Sequence, residues 1–312
     1  MSEIVKSERK KRKVSLFDNL VGILIVGYFL IVGGQALGDY VIEPGLAAVL
    51  AALIPGLTDG AAWVTATLYV GFLGIWAVTL LVMFLTSRNR PMLKALGTQT
   101  KGNTLKMFAV GLGIGLGMNL LCALIAILHG DIALTFHSFR PVSFLLVFVA
   151  VLIQSAAEEL ICRVFIYQRL VRRYGKPVLA AVANAAFFAA IHLGNPGVTN
   201  LAILNIFFYG LLFSAMVVYM DSPWAAMAAH AAWNFCQNII LGLPNSGMVM
   251  PYSVFKLDAA TATNSFAYSV SFGLESTITA SVTLLIVAGL IAWWGTKRKV
   301  VPTNIWNSAE EN

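Results

Sequence analysis

Charged residues are scarce in this sequence. Asp, Glu, Lys and Arg make up 11% of the 312 residues, whereas hydrophobic residues make up 59%. A soluble globular domain has about 25% charged residues and about half apolar residues. The shortage of charge therefore predicts a polytopic protein embedded in the lipid bilayer. The net charge of +7 does not predict nucleic-acid binding, because the cations flank apolar segments and form no single basic stripe.

Cysteine is also scarce, and its positions exclude two kinds of site. The three cysteines are Cys122, Cys162 and Cys236, and each lies in an apolar run without metal-site spacing. We therefore expect buried thiols, and neither a disulfide framework nor a zinc knuckle. The chain also lacks a polar stretch long enough to bury a core of its own, so no second soluble domain is expected.

Long apolar runs are abundant instead. Because a helix needs about 20 mainly apolar residues to cross a bilayer, the chain is predicted to be an all-α membrane bundle of about eight transmembrane helices. The predicted segments are 18–38, 62–86, 105–128, 142–167, 177–193, 200–220, 224–243 and 276–294. The apolar segment 41–56 is bracketed by Pro and Gly residues at both ends, and we expect it to be a loop or an interfacial helix.

Lys and Arg are nearly absent from every second connection. The connection 39–61 has neither, 129–141 has only Arg140, and 244–275 has only Lys256. The connections 87–104 and 168–176 and both terminal tails are basic. The positive-inside rule therefore predicts that both termini are cytoplasmic.

The N-terminus and the domain organisation follow from the same pattern. The basic stretch before the first apolar run is compatible with a signal peptide, but the weak cleavage site at 33–38 favours an uncleaved helix. The predicted parts are a basic cytoplasmic tail (1–17), an N-terminal transmembrane region (18–141), a catalytic core (142–243), an extracytoplasmic loop (244–275) and a last transmembrane helix with a cytoplasmic tail (276–312).

Three charges lie inside the fourth apolar segment, where charge is costly. Glu159 and Arg163 are four residues apart, so they share a helix face and are expected to pair. Glu158 is rotated by about 100° from Glu159 and is left to face another partner. An ionisable group at membrane depth indicates a functional site. The alternative is a snorkelling set at the cytoplasmic end of the helix, which fits Arg163 better than two adjacent acids.

Two more polar pairs lie on later helices. Phe188 and His192 are four residues apart on the fifth, and His230 and Asn234 are four apart on the seventh. An imidazole with a carboxamide suits oxyanion stabilisation or metal ligation. Taken alone, His192 is also compatible with a hydrogen-bonded core histidine, and His230 with Asn234 is compatible with an interhelical hydrogen-bond contact.

Together these stretches resemble the CPBP family, which includes CAAX prenyl proteases of the Ras-converting type and bacteriocin-processing membrane proteins. The family pattern is Glu-Glu-x-x-x-Arg, then Phe-x-x-x-His, then His-x-x-x-Asn. Here it is represented by Glu158-Glu159 to Arg163, Phe188 to His192, and His230 to Asn234, in the same order on separate helices. The resemblance covers about 142–240.

The resemblance implies an intramembrane endopeptidase. In that scheme Glu158, helped by His192, activates a water for attack on the scissile carbonyl, and His230 with Asn234 stabilises the oxyanion. Glu159, Arg163 and Phe188 support the site. The implied substrate is a membrane-associated peptide or protein, including prenylated ones, and the implied location is the plasma membrane.

Metal dependence stays open at this stage. Glu158, His192 and His230 are candidate ligands for Zn²⁺, and the family is often described as metalloproteases. Asn is an uncommon zinc ligand, and the sequence has no His-Glu-x-x-His helix. We therefore favour a water activated by glutamate without a metal, with zinc as the alternative.

Two other classes of function are compatible with buried charges. One is a transporter or proton relay that uses the acids and histidines, although no second copy of the motifs suggests the internal repeats of transporters. The other is a non-catalytic membrane protein of the bacteriocin-immunity type that keeps the site as structure. The complete set of motifs favours the protease.

Overall fold

The protein is a bundle of helices with almost no sheet. The computed structural model describes residues 16–53 and 60–306, and it is about 70% helical. Its α-helices are α1 (Leu20–Leu37), α2 (Glu43–Leu53), α3 (Ala61–Val70), α4 (Leu73–Leu85), α5 (Leu105–His129), α6 (Pro141–Glu159), α7 (Tyr167–Tyr174), α8 (Pro177–Ala190), α9 (Asn200–Tyr219), α10 (Pro223–Asn234) and α11 (Ile278–Lys297). The predicted all-α membrane bundle is confirmed.

Shorter elements join or extend these helices. The strands β1 (Leu134–Phe136) and β2 (Phe255–Leu257) pair antiparallel, with Leu134 opposite Leu257. Three π-helical segments are continuous with the α-helices before them: Gly38–Ile42, Leu160–Ile166 and Phe235–Ile240. Three short 3₁₀ turns complete the described elements: Leu16–Asp18, Arg90–Ala95 and Leu274–Ser276.

All eight predicted segments are helical, but they are not equally suited to cross a membrane. Six helical stretches of the described chain are long and apolar enough. They are Leu20–Leu53, Ala61–Leu85, Leu105–His129, Pro141–Tyr174, Asn200–Tyr219 and Ile278–Lys297. The other two are not among them: α8 has only 14 residues, and α10, even with the π-helical segment that continues it to Ile240, is not among the long apolar stretches. They contribute the two histidine motifs to the interior of the bundle.

For segment 41–56, the expected alternative of a loop is wrong, because residues 43–53 are helical. The chain does not leave the helix after residue 38, because α1 continues through the π-helical turn Gly38–Ile42 into α2. The wide turn accommodates Pro44, which has no N–H to donate, and the amide of Glu43 bonds the carbonyl of Gly38 instead. The first helix is therefore 34 residues long. Residues 54–59, which include Pro55 and Gly56, lie outside the described residues.

Close packing of α5 against α10 depends on small residues. Gly111 of α5 lies against the backbone of Ala225, and Gly115 lies against the backbone of Ala229, so that a Cβ at either glycine would overlap α10. Small residues let helix backbones approach where the lipid provides no hydrophobic driving force. This contact holds the helix that carries His230 and Asn234 in the centre of the bundle, where all its residues except Trp224 are buried.

The predicted extracytoplasmic loop 244–275 is ordered against the helices at one end of the bundle. Its start is held by Gln237, whose Nε2 donates to the carbonyl of Pro244 at 2.5 Å, and Asn119 of α5 in turn donates to Gln237 at 3.0 Å. Strand β2 within the loop pairs with β1. The loop thus covers the ends of several helices. Most of the basic N-terminal tail, residues 1–15, lies outside the described residues.

Candidate active site

One cavity of about 430 Å³ gathers the polar motifs. It is lined by the four predicted catalytic residues and by Phe188: Glu158 from α6, Phe188 from α8, His192 from the turn after α8, and His230 and Asn234 from α10. The other two supporting residues, Glu159 and Arg163, do not line the cavity. They lie behind its wall, so the seven residues form an inner layer on the cavity and an outer layer behind it.

The outer layer is a neutral pair out of contact with water. Glu159 and Arg163 have fully buried side chains, and the guanidinium donates to Glu159 Oε1 at 3.1 Å. Arg163 also donates to the carbonyl of Gly210 at 3.1 Å, and its guanidinium lies 4.8 Å from the ring centre of Phe188. These contacts offset the cost of removing the guanidinium from water. Phe188 therefore lies between the ion pair and the cavity.

His230 bridges the two neighbouring carboxylates. Its Nδ1 lies 3.0 Å from Glu159 Oε1, and its Nε2 lies 3.8 Å from Glu158 Oε2. The ring stacks on Phe213 with centres 5.1 Å apart. Because an ionised carboxylate can only accept, Nδ1 carries the hydrogen and Nε2 faces Glu158 across a gap too long for a direct hydrogen bond.

Glu158 is the carboxylate that faces the cavity. Its side chain is 13% exposed, whereas that of Glu159 is fully buried. Gln154, one turn earlier on α6, donates to Glu158 Oε1 at 2.6 Å. The other oxygen, Oε2, has no hydrogen-bond partner in the part of the chain that the structure describes. Glu158 thus has one oxygen held in place and one buried oxygen without a hydrogen-bond partner among the described residues.

His192 lies where α8 ends, and its own helix orients it. Its Nδ1 lies 2.7 Å from the carbonyl oxygen of Phe188, which can only accept. Nδ1 therefore carries a hydrogen, and in the neutral ring Nε2 is left with a free lone pair. The ring also contacts Phe188 edge to face at 4.8 Å. His192 is partly exposed, so its ring can meet a molecule that enters the cavity.

Asn234 is hydrogen-bonded at both ends of its carboxamide. Its Nδ2 donates to Ser155 Oγ at 3.1 Å and to Gln154 Oε1 at 3.3 Å. Its Oδ1 accepts from Asn245 Nδ2 at 3.3 Å. The N–H groups of Asn234 thus point towards Gln154 and Ser155 of α6, and its carbonyl points towards the loop.

Several polar residues at or near the cavity were not predicted from the sequence, among them Gln154, Ser155, Asn245, Ser246 and Glu275. Gln154 is four residues before Glu158, and that spacing was a usable signal. The three loop residues had none, because no periodicity relates them to the helical motifs. We call Glu158, His192, His230 and Asn234 with Gln154 the helix side of the cavity, and Asn245, Ser246 and Glu275 the loop side.

The loop side contains a third acid. Glu275 is 4% exposed, and burial raises the pKa of its carboxyl to about 7, although hydrogen bonds from Ser246 and the charge of His230 lower it. The charge of Glu158 contributes a smaller upward shift. Glu275 therefore titrates near neutral pH.

The described residues do not form an obvious metal site. Across 16–53 and 60–306, no group of three or more His, Cys, Asp and Glu side chains is arranged to hold a metal ion. Glu158 and His230 approach each other, and because His230 Nδ1 is bonded to Glu159, only its Nε2 is open to a ligand. Among the described residues, Glu158, His192 and His230 do not form the three-ligand group that the Zn²⁺ alternative requires.

Comparison with known families gives one match. Residues 140–236, nearly a third of the chain, match the family described as type II CAAX prenyl endopeptidase Rce1-like. The match includes every motif residue of the helix side and ends before Asn245, Ser246 and Glu275. A search of curated proteins gave no match, and neither did a search of solved structures. The resemblance to the CPBP family is confirmed by the family match.

Proposed function

Residues 140–236 form a domain of the CPBP intramembrane proteases, and from that premise we propose that the chain is an endopeptidase that uses Glu158 and His192 to activate water. The observation that carries this proposal is that Glu158 lines the cavity together with His192 and His230, while its Oε2 is buried without a hydrogen-bond partner among the described residues. We assign the attacking water to this oxygen, because a carboxylate oxygen without a protein partner can accept its proton.

The first chemical step joins water to the scissile carbonyl. Glu158 Oε2 accepts a proton from the water while the water oxygen forms a bond to the carbonyl carbon, and the carbonyl π electrons move to its oxygen. His192, whose Nε2 lone pair is free, accepts the second water hydrogen in a hydrogen bond and so orients the nucleophile. The proton on Glu158 then passes to the amide nitrogen as the C–N bond breaks.

The negative charge on the carbonyl oxygen needs donors, and His230 and Asn234 are the proposed ones. Asn234 has one long bond, 3.3 Å to Gln154, that it can exchange for a bond to the oxyanion. His230 can donate from Nε2 only when it carries both ring hydrogens, because Nδ1 already donates to Glu159. Donors aimed at a developing charge in a site with little water are often the largest catalytic term.

The proposed substrate is a peptide segment presented from the membrane. The cavity wall is mostly apolar away from the polar cluster, with Phe72, Ile191, Ile206 and Met250 among its lining residues. Such a surface suits a hydrophobic, membrane-anchored chain, including a prenylated one, better than a soluble peptide. We propose that the protein acts in the plasma membrane.

Comparing the membrane proteome with active and inactive protein tests this function. Cells expressing the full chain, Glu158→Gln or the control Glu43→Gln would be analysed by mass spectrometry of protein N- and C-termini. Glu43 lies in α2 outside the cavity, so its variant is a matched loss of one carboxylate. We expect new termini with the wild type and Glu43→Gln, and none with Glu158→Gln. Equal cleavage by a well-folded Glu158→Gln protein would refute the role of Glu158.

A further inference from the structure

Glu275 lines the loop side of the cavity and is held there by several hydrogen bonds. Its Oε2 accepts from the backbone N–H of Ser246 at 2.5 Å and from Ser246 Oγ at 3.1 Å, and its Oε1 accepts from Asn245 Nδ2 at 3.1 Å. The backbone carbonyl of Glu275 accepts from Asn205 Nδ2 of α9 at 2.8 Å. The carboxylate is therefore anchored to the bundle and in turn fixes the orientation of the loop turn at Asn245 and Ser246.

A hydrogen-bonded chain of three carboxamides, those of Asn245, Asn234 and Gln154, runs from this carboxylate to Glu158, and we call it the relay. Asn245 Nδ2 donates both to Glu275 and to Asn234 Oδ1. Asn234 Nδ2 donates to Gln154 Oε1, and Gln154 Nε2 donates to Glu158 Oε1. An ionised carboxylate accepts only, so both ends of this chain demand an N–H. That demand gives all three carboxamides a single consistent orientation.

We propose that Glu275 is a positioning residue, which acts through Asn245 to keep the N–H groups of Asn234 on the side of Gln154 and Ser155, where they can donate to the oxyanion. This inference rests on the proposed function, in which Asn234 donates to the oxyanion. Neither Glu275 nor Asn245 touches the reacting atoms in this scheme. Their effect is to prevent the carboxamide of Asn234 from rotating by half a turn, which would present its oxygen to the developing negative charge.

Protonation of Glu275 would release this orientation. A neutral carboxyl can donate, so Asn245 can turn its oxygen towards Glu275 and towards Asn234, where two oxygens would then repel. Asn234 and Gln154 would turn in response, and Glu158 Oε1 would lose its N–H partner. Two titratable groups interact electrostatically with Glu275 and change its pKa: Glu158 of α6 and His230 of α10. The charge of Glu275 in turn acts on the phenols of Tyr69 and Tyr209.

The direction of the pH dependence follows from the carboxyl of Glu275, which must be ionised to keep the relay aligned. Because burial raises the pKa of Glu275 to about 7, the aligned orientation is populated above that pH and lost below it. The wild-type cleavage rate should therefore rise as pH increases through about 7. The wild type, Glu275→Gln and Asn245→Ala would be assayed as purified full chains in lipid vesicles over that range, on a substrate identified by the terminus analysis.

We expect both variants to lower kcat by roughly 10-fold to 100-fold, less than the roughly 10²–10³-fold effect of deleting an oxyanion donor, with KM nearly unchanged. We also expect both to lose the rise near pH 7. Ser246→Ala is the matched control, because it removes a contact to Glu275 that is not part of the relay. Its rate should still rise with pH, but the rise should move to higher pH, because the hydroxyl of Ser246 lowers the pKa of Glu275. A uniform loss in all three variants, with the pH dependence intact, would overturn the proposal.

A second measurement needs no activity and separates the two proposals. Side-chain amide resonances of ¹⁵N-asparagine would be recorded in the full chain and assigned with Asn234→Ala and Asn245→Ala. We expect the Asn234 and Asn245 signals to titrate together in the wild type and in Ser246→Ala, and not in Glu275→Gln. An Asn234 signal that does not titrate, or that titrates without Glu275, would reject the relay even if the protein proves to be a protease. Joint titration in a protein without cleavage would support the relay and reject the function.

Discussion

The two sides of the cavity differ in how their carboxylates are supported. On the helix side, Glu158 lies beside Glu159, whose charge is balanced by Arg163 four residues later on continuous helix. On the loop side, Glu275 has no cation bonded to it in the described structure and depends on hydrogen bonds from Asn245 and Ser246. On the helix side, the four-residue spacing places a guanidinium next to the buried carboxylate of Glu159. On the loop side, the carboxylate of Glu275 is stabilised by N–H and O–H dipoles instead.

The two sides also differ in their proposed roles, which are proton transfer and oxyanion binding on the helix side and orientation of Asn234 on the loop side. The helix side places groups that can take a proton or donate to an oxyanion, and it lies within the matched family segment. The loop side lies outside that segment, and within 16–53 and 60–306 its hydrogen bond to the helix side is the one from Asn245 to Asn234. We therefore expect variants on the two sides to change different measured quantities.

The largest effect is expected from the helix-side carboxylate. Glu158→Gln should lower the cleavage rate by roughly 10²–10⁴-fold at every pH, because it removes the general base. Glu275→Gln should cause the smaller and pH-dependent loss described above. Initial rates of the two variants over the same pH range test the comparison. Equal losses with the same pH dependence would show that the two carboxylates do not have separate roles.

Breaking the buried ion pair should cost stability as well as activity. Arg163→Met leaves Glu159 buried without its cation, and such a change costs about 3–5 kcal/mol of unfolding free energy. The double variant Glu159→Gln with Arg163→Met should recover much of that loss, since it removes both charges. Denaturant titration in detergent micelles measures both. If the double variant were less stable than the single one, Glu159 would not be the reason for the cost.

A smaller effect is expected where α5 supports α10. Gly115→Ala should destabilise the protein by about 1–3 kcal/mol, because the added methyl overlaps the backbone of Ala229. Gly117→Ala on the same helix is the matched control, since nothing lies within 4 Å of a Cβ at that position. It should be neutral or slightly stabilising. Thermal unfolding of both variants measures the difference, and equal shifts would contradict the close approach of the two helices.

The smallest effect is expected from removing divalent metals. Because the helix side offers no three-ligand group among the described residues, a chelator should leave the cleavage rate within about twofold of its original value. Elemental analysis of the purified full chain provides the second readout. Stoichiometric zinc, together with activity that is lost on chelation and restored by zinc, would contradict the metal-free scheme.

The helix side was largely predictable because its residues follow helical spacing. Glu159 and Arg163 had to share a face at four residues apart, and the structure has them paired at 3.1 Å. The same spacing identified His192 with Phe188 and His230 with Asn234. It did not predict that His230 bonds Glu159, nor that Asn234 bonds Ser155 and Gln154. Those contacts join different helices, and their distances depend on how the helices pack.

The end of the first helix was predicted less accurately, for a physical reason. The first segment was predicted to end at residue 38, and Pro44 with Gly45 indicated a separate segment after it, since proline lacks the N–H that continues an α-helix. The π-helical turn at Gly38–Ile42 lets the helix continue to Leu53. A propensity argument considers one residue at a time, and it misses a local change in hydrogen-bond pattern that accommodates the proline.

The sequence alone determined that this chain is a helical membrane protein with a CPBP-type set of acids, histidines and an asparagine, because hydropathy and helical spacing depend on residues close together in the chain. The tertiary structure decided which oxygen of Glu158 is free, how both imidazoles are oriented, and that Glu275 joins the site. Asn234 and Glu275 are 41 positions apart and meet through Asn245. No local pattern records that contact, because it exists only when the loop folds back over α10.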